Sequence, residues 1–225
     1  MGSKLSCTLC HSFKKAGFDL LSPDCNTGIE AQKQSRHFRK NDIIFSQGEV
    51  ISDIHCINTG LIKLESVGED GHTVTVGLLK AGDLLGLGNI LSHTPTSYSA
   101  TAIEDTFACT FPAEFFRKML TNSPTLAMQY LEKTFTCLRE TRQRLLSGVD
   151  KDVPSRVAEA LVYLKANYPD HTFTRREIAE WAGTTTESVI RALSQFEDDG
   201  IIAQHGRKIT ITDSGRLGLS AGALI

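Results

Sequence analysis

What the chain lacks narrows it first. It has no apolar run near the ~20 residues that a membrane span needs, and no apolar signal-peptide core at its N-terminus. The expectation is a cytoplasmic chain with no membrane partner. Basic charge is not in excess: 24 Lys and Arg face 26 Asp and Glu, a formal balance of −2. That argues against a bulk nucleic-acid coat, whose affinity rests on many phosphate contacts. There is no P-loop, no H-E-x-x-H and no nucleophile–base pair, and Gly86-Leu87-Gly88 lacks the strand–turn–helix setting of a dinucleotide fingerprint. An enzyme is therefore not expected. In a reducing compartment the six Cys are expected as thiols or metal ligands rather than disulfides. What is present is ordinary: 225 residues, 40% hydrophobic and 22% charged, enough for one or two globular domains.

The most informative stretch runs from Phe173 to Asp213. Thr174 with Glu177 three residues later is a capping box that starts a helix. Gly183 ends it, since glycine tolerates the positive φ of a tight turn. A second helix starts around Thr185 and carries Val189, Leu193 and Phe196 on one face. After Gly200 come Ile201-Ile202, a His205-Gly206 turn, then Ile209 and Ile211 at period two, a small hairpin. Helix, glycine turn, helix and hairpin make a winged helix-turn-helix, whose second helix enters the DNA major groove. Glu187 and Arg191 lie four apart on that helix. An Arg forks onto guanine O6 and N7, and a carboxylate accepts from the cytosine amino group. Thr185, Thr186 and Ser188 can bond phosphate or base edges. The plainer reading is an ordinary surface pair of a few tenths of a kcal/mol. The turn before and the hairpin after favour DNA reading. Residues 150–225 hold nine Lys and Arg against eleven Asp and Glu. Affinity must then come from a local set, Arg175, Arg176, Arg191, Arg207 and Lys208 with His205. So few phosphate contacts per chain imply a dimer.

Upstream the chain divides into a Cys-containing segment (1–17), a β-rich domain (18–122), a long helix (123–148) and the winged domain (149–225). From Phe38 to Phe111, short β-type runs alternate with glycine turns every 8–12 residues, as in a sandwich or roll. In the long helix Met128, Phe135 and Arg142 fall seven apart, and Leu131, Leu138 and Leu145 follow three after each. That is an a/d seam, read as a parallel dimer interface. Arg142 in it needs to snorkel or find a partner. Gly148 is expected to end this helix, and Asp150–Pro154 to form a hinge. Cys56 and Cys137 read as small buried apolar residues.

The roll segments IIFSQGE, INTGLIKL and AGDLLG, the dimer helix, and GTTTESVIRAL with GII and GRKITI resemble the CRP/FNR family of bacterial transcription regulators over nearly the whole chain. The resemblance implies an α+β chain: an N-terminal cyclic-nucleotide-binding-type β-roll, a dimer helix and a C-terminal winged helix-turn-helix. It also implies a homodimer on a palindromic DNA site with TGA-like halves, and RNA polymerase as a partner. Thr186 stands where the cAMP-receptor branch has a further Arg. The places that hold cAMP in that branch read Gly86-Leu87 and Thr96-Ser97, with neither the ribose-binding Glu nor the phosphate-clamping Arg, so cAMP binding is not expected. In the FNR branch an iron–sulfur cluster sits on three N-terminal Cys and one in the roll. Cys7, Cys10 and Cys109 match, but Ala16 stands near the third place, and Cys25 comes later. Four thiolates on Cys7, Cys10, Cys25 and Cys109 suit an iron–sulfur cluster or zinc. Cys7 and Cys10 alone suit a thiol or disulfide switch. A haem-type or small-molecule sensor is the remaining alternative.

Overall fold

The computed structural model describes residues 7, 10–21, 23–69 and 71–222, with only the backbone of 23–27. Its contacts divide into two units, one of residues up to 138 without 73–75, the other of 73–75 and 139 onward.

The first unit carries the β-rich runs as two four-stranded sheets. In one, β1 (Gln34–Phe38), β8 (Thr106–Pro112), β3 (Asp53–Thr59) and β6 (Leu84–Leu85) lie side by side. In the other the order is β2 (Ile43–Phe45), β7 (Ser99–Ala102), β4 (Leu61–Val67) and β5 (Thr73–Lys80). Phe45, Ile57, Ile62, Leu85 and Ala100, drawn from both sheets, form one buried cluster, so a roll is the description. Successive side chains along a strand face opposite ways, and β3 uses both. Ile57 enters that cluster while Ile54 and Cys56 enter a second one on the helix-covered face. The second cluster adds Phe13 of α1 (His11–Lys15), Phe18, Ile29 of α2 (Pro23–Gln32), Phe116 and Met119 of α4 (Ala113–Asn122), and Leu126 and Tyr130. The β3–β4 turn needs Gly60. Its φ is 94°, and a Cβ there would come within 2.7 Å of the Asp105 carbonyl.

Residues of the Cys-containing segment enter the core: Cys7, Phe13 and Ala16 are buried, and the Tyr130 hydroxyl donates to the Ala16 carbonyl at 2.6 Å. Two expectations were corrected. Gly148 does not end the long helix, because α5 runs Pro124–Asp150 and passes through it. A single glycine weakens a helix by only about 1 kcal/mol, and nothing crowds this one. Cys137 is exposed, not buried, since residues 131–143 of α5 are exposed throughout. Strands β1 and β6 and helix α3 (Leu87–Ser92) had no clear sequence signal. β1 is a polar edge strand without alternation, and the other two are short.

In the second unit Asp152 caps α6 (Val153–Asn167) by accepting from the Ser155 amide, with Pro154 in the first turn. The unit continues with α7 (Arg175–Ala182), α8 (Thr186–Asp198), the hairpin β9 (Ile202–His205) and β10 (Lys208–Ile211), and α9 (Ser214–Ser220). Val157, Leu161, Leu164, Ile178, Val189, Leu193, Phe196 and Leu217 are buried there. Truncating one of them, such as Leu193→Ala, removes about 2–5 kcal/mol.

Candidate nucleic-acid interface and cysteine cluster

The capping box at the start of α7 is complete: Thr174 accepts from the Glu177 amide, and the Glu177 carboxylate accepts from the Thr174 amide at 2.7 Å. Gly183, at φ 62°, turns the chain, and Thr185 caps α8 by accepting from the Ser188 amide. Tyr163 stacks on Trp181 at 5.0 Å, and the Arg144 guanidinium lies 3.9 Å from the Trp181 ring centre, so α7 is held from behind. Tyr163 donates to Glu140, and burial first, then that carboxylate, pushes its hydroxyl up to about 12. Helix α8 buries Val189, Ala192, Leu193 and Phe196 and turns Glu187, Ile190 and Arg191 outward. The plain surface pair does not form. Among the described residues Arg191 makes no ion pair with Glu187 and bonds the Ser188 hydroxyl at 3.1 Å. Glu187 and Arg191 are therefore both available on one face. Ile190, 50% exposed between them, was not foreseen. Its signal was present, an apolar residue out of phase with Val189 and Leu193, and it suits a thymine methyl.

The basic set divides in two. Arg207 and Lys208 are exposed at the hairpin tip, with His205. Arg175 instead turns inward: it donates to the Arg207 carbonyl at 2.8 Å and to Gln204 Oε1 at 2.5 Å. Gln204 in turn is held by both Glu197 carboxylate oxygens, at 2.7 and 3.0 Å. This chain ties α7, the wing and the end of α8 together. Arg176 pairs with Glu180 at 2.8 Å, a buried carboxylate.

In the roll, Cys7, Cys10, Cys56 and Cys109 belong to or pack against the helix-covered cluster, and Cys56 sits directly opposite Cys109 in the β3–β8 register. Cys56 was not foreseen as a neighbour of the others, because register is a tertiary fact. The Lys33 ammonium donates to Cys7 Sγ at 3.1 Å, and Cys10 Sγ donates to Asn58 Oδ1 at 3.2 Å. Burial pulls the Lys33 pKa down, but Cys7 and then Cys109 and Glu30 more than offset this and leave it raised. Burial pushes the Cys56 and Cys109 thiols up. Among the described residues no three His, Cys, Asp or Glu side chains are placed to hold a metal ion. Cys25 lies in α2, and its side chain is outside the described residues.

Two family models match the chain. The cyclic nucleotide-binding domain covers residues 35–123, and the Crp-like helix-turn-helix domain covers 155–218. The chain belongs to the CRP/FNR family. It is 27% identical over 209 residues to a CRP-like cAMP-activated global transcriptional regulator of Mycobacterium tuberculosis, covering 89% of this chain and 93% of that one. It is 27% identical over 208 residues to the transcriptional activator protein anr of Pseudomonas aeruginosa, covering 88% and 85%. FixK2 from Bradyrhizobium japonicum has the same fold, with a TM-score of 0.75 and 24% identity over 86% of this chain and 99% of that one. This CRP/FNR chain is thus a DNA-binding transcription regulator in its domain make-up. Among the described residues no helix is long and apolar enough to cross a membrane.

The positions that the resemblance pointed to for cAMP are apolar or internally bonded. Leu87 packs against the apolar cluster. Gly86 has φ 94°, and a Cβ there would meet Ile51 at 2.6 Å. Thr96 is buried, with its hydroxyl donating to the Ser46 carbonyl at 2.8 Å. An anion would find no guanidinium at either position. Along α5 the heptad positions Met128, Leu131, Phe135, Leu138, Arg142 and Leu145 all face solvent, Phe135 with 61% of its surface.

Proposed function

We propose that this CRP/FNR-family chain acts in the cytoplasm as a homodimer that reads a palindromic DNA site with TGA-like half-sites and engages RNA polymerase there. The outward face of α8, with Glu187, Ile190 and Arg191 unpaired to one another on a capped, buttressed helix, carries the reading. Thr185, Thr186 and Ser188 serve as phosphate or base-edge contacts, and Arg207 and Lys208 as wing contacts to phosphate. A second copy covers the apolar stripe on α5, because exposed Leu and Phe at heptad spacing are stabilised by pairing. A selection from random twofold-symmetric oligonucleotides tests this. The expected winner has TGA-like halves, and Glu187→Ala or Arg191→Ala weakens it by about 1–3 kcal/mol with relaxed preference at one position. Equal, weak binding to all sequences would remove the proposal.

The roll converts a redox, gas or small-molecule signal into presentation of α8. The observation that supports sulfur chemistry is the gathering of Cys7, Cys10 and Cys109 on one cluster, with the Lys33 ammonium against Cys7. The described donors do not by themselves form a metal cage. A cluster or zinc on Cys7, Cys10, Cys25 and Cys109 is the competing proposal. Protein purified without oxygen separates them. Iron with sulfide and a broad band near ~400 nm identifies a cluster, a sharp intense band haem, and a colourless sample bound zinc or thiols, told apart by metal content. A titration with cAMP is expected to give no micromolar binding.

A further inference from the structure

The winged unit contains a cavity of about 300 Å³, of whose lining the DNA-reading proposal uses only Arg207 and Lys208. Its floor is apolar: Leu161 and Leu164 of α6, Phe173, and Ile178 of α7, all buried residues. Ile209 and Ile211 of the wing strand β10 close one side. The rim is basic. Lys165, Arg207 and Lys208 line it against one acid, Asp170, with His171 beside them. Three of the nine Lys and Arg in residues 150–225 thus meet one of the eleven Asp and Glu. Cations therefore outnumber acids at the rim of an apolar floor, although the unit as a whole is acidic. The wall is also fixed, since the Arg207 carbonyl that shapes the wing tip is held by Arg175 and the Lys165 ammonium is held by the Pro169 carbonyl at 3.1 Å.

We propose that this cavity binds a small aromatic carboxylate. The ring fills the space over Leu161, Leu164 and Ile209, and the carboxylate meets Lys165, Lys208 and Arg207 at the rim. A DNA phosphate has no use for the apolar floor, whereas an amphipathic anion matches both halves of the lining. Because Arg207 and Lys208 are also exposed at the wing, an occupied cavity and a DNA backbone compete for the same two cations, and by linkage each weakens the other.

Salicylate is the probe, titrated calorimetrically into the full-length protein, with neutral salicylamide as control. Saturable salicylate binding is expected, with little or none for salicylamide. Lys165→Glu and Lys208→Glu, both at exposed positions, are each expected to weaken it at least about tenfold while melting as the wild type does. Saturating salicylate is expected to weaken binding to the selected DNA site. Absence of saturable binding up to about 10 mM overturns the proposal. So does equal binding of salicylamide, or unchanged salicylate affinity in both variants. If Lys208→Glu weakens DNA but not salicylate, the rim serves only the DNA backbone and the proposal also fails. Unchanged DNA affinity at saturation overturns the competition.

Discussion

Arg175 and Lys208 carry the same charge and sit in the same small unit, yet their surroundings assign them different work. Arg175 spends its guanidinium on the Arg207 carbonyl and Gln204, so it positions the wing. Lys208 is exposed at the wing tip. Lys208→Ala is expected to lower the slope of log affinity against log salt by about one, and Arg175→Met to weaken binding with the slope unchanged. Binding isotherms across a salt series check both. Ile190 gives a second prediction at this scale. If it covers a thymine methyl, replacing that thymine by uracil weakens wild-type binding by about 0.8 kcal/mol, one buried methyl, and leaves Ile190→Ala unaffected. A scan of single thymine-to-uracil changes in the half-site would show which base it meets, and no sensitive thymine would remove the assignment.

The elements follow from local rules where one face is buried. Helix α8 was legible because Val189, Leu193 and Phe196 recur at helical spacing behind a threonine cap. Strand β4 was legible from end to end, between Gly60 and Gly68. Strand β1 was not, since both of its faces are exposed and its order comes from pairing with β8. The exposed seam of α5 predicts that Phe135→Asp with Leu138→Asp yields a monomer at about micromolar concentration by sedimentation, with palindrome binding lost. Strand β3 supplies a pH dependence. Burial, with Arg36 adding to it and Asp53 opposing, holds His55 below its ordinary value, and its Nδ1 lies 2.9 Å from the Thr110 hydroxyl. A depressed folded value means that the contribution to stability is present above about pH 6.5 and is lost as pH falls from there through the lower folded value. Urea midpoints at neutral and mildly acid pH are expected to drop less in His55→Gln than in the wild type.

For the whole molecule, charge counting and a/d spacing led to the expectation of a few-contact DNA binder that works in pairs, which the salt series and the sedimentation experiment test. Capping boxes, glycine turns and heptads are rules of neighbours along the chain, so the winged unit, the roll's glycine turns and the long helix were determined by the sequence itself. What only the tertiary structure decided was which distant groups meet. It turned Arg175 away from solvent and into the wing, and it set Cys56 opposite Cys109. It placed Lys33 on Cys7 and gathered three cations over an apolar floor beside the wing. Each of these depends on strand register or on the packing of remote elements, which no local spacing encodes.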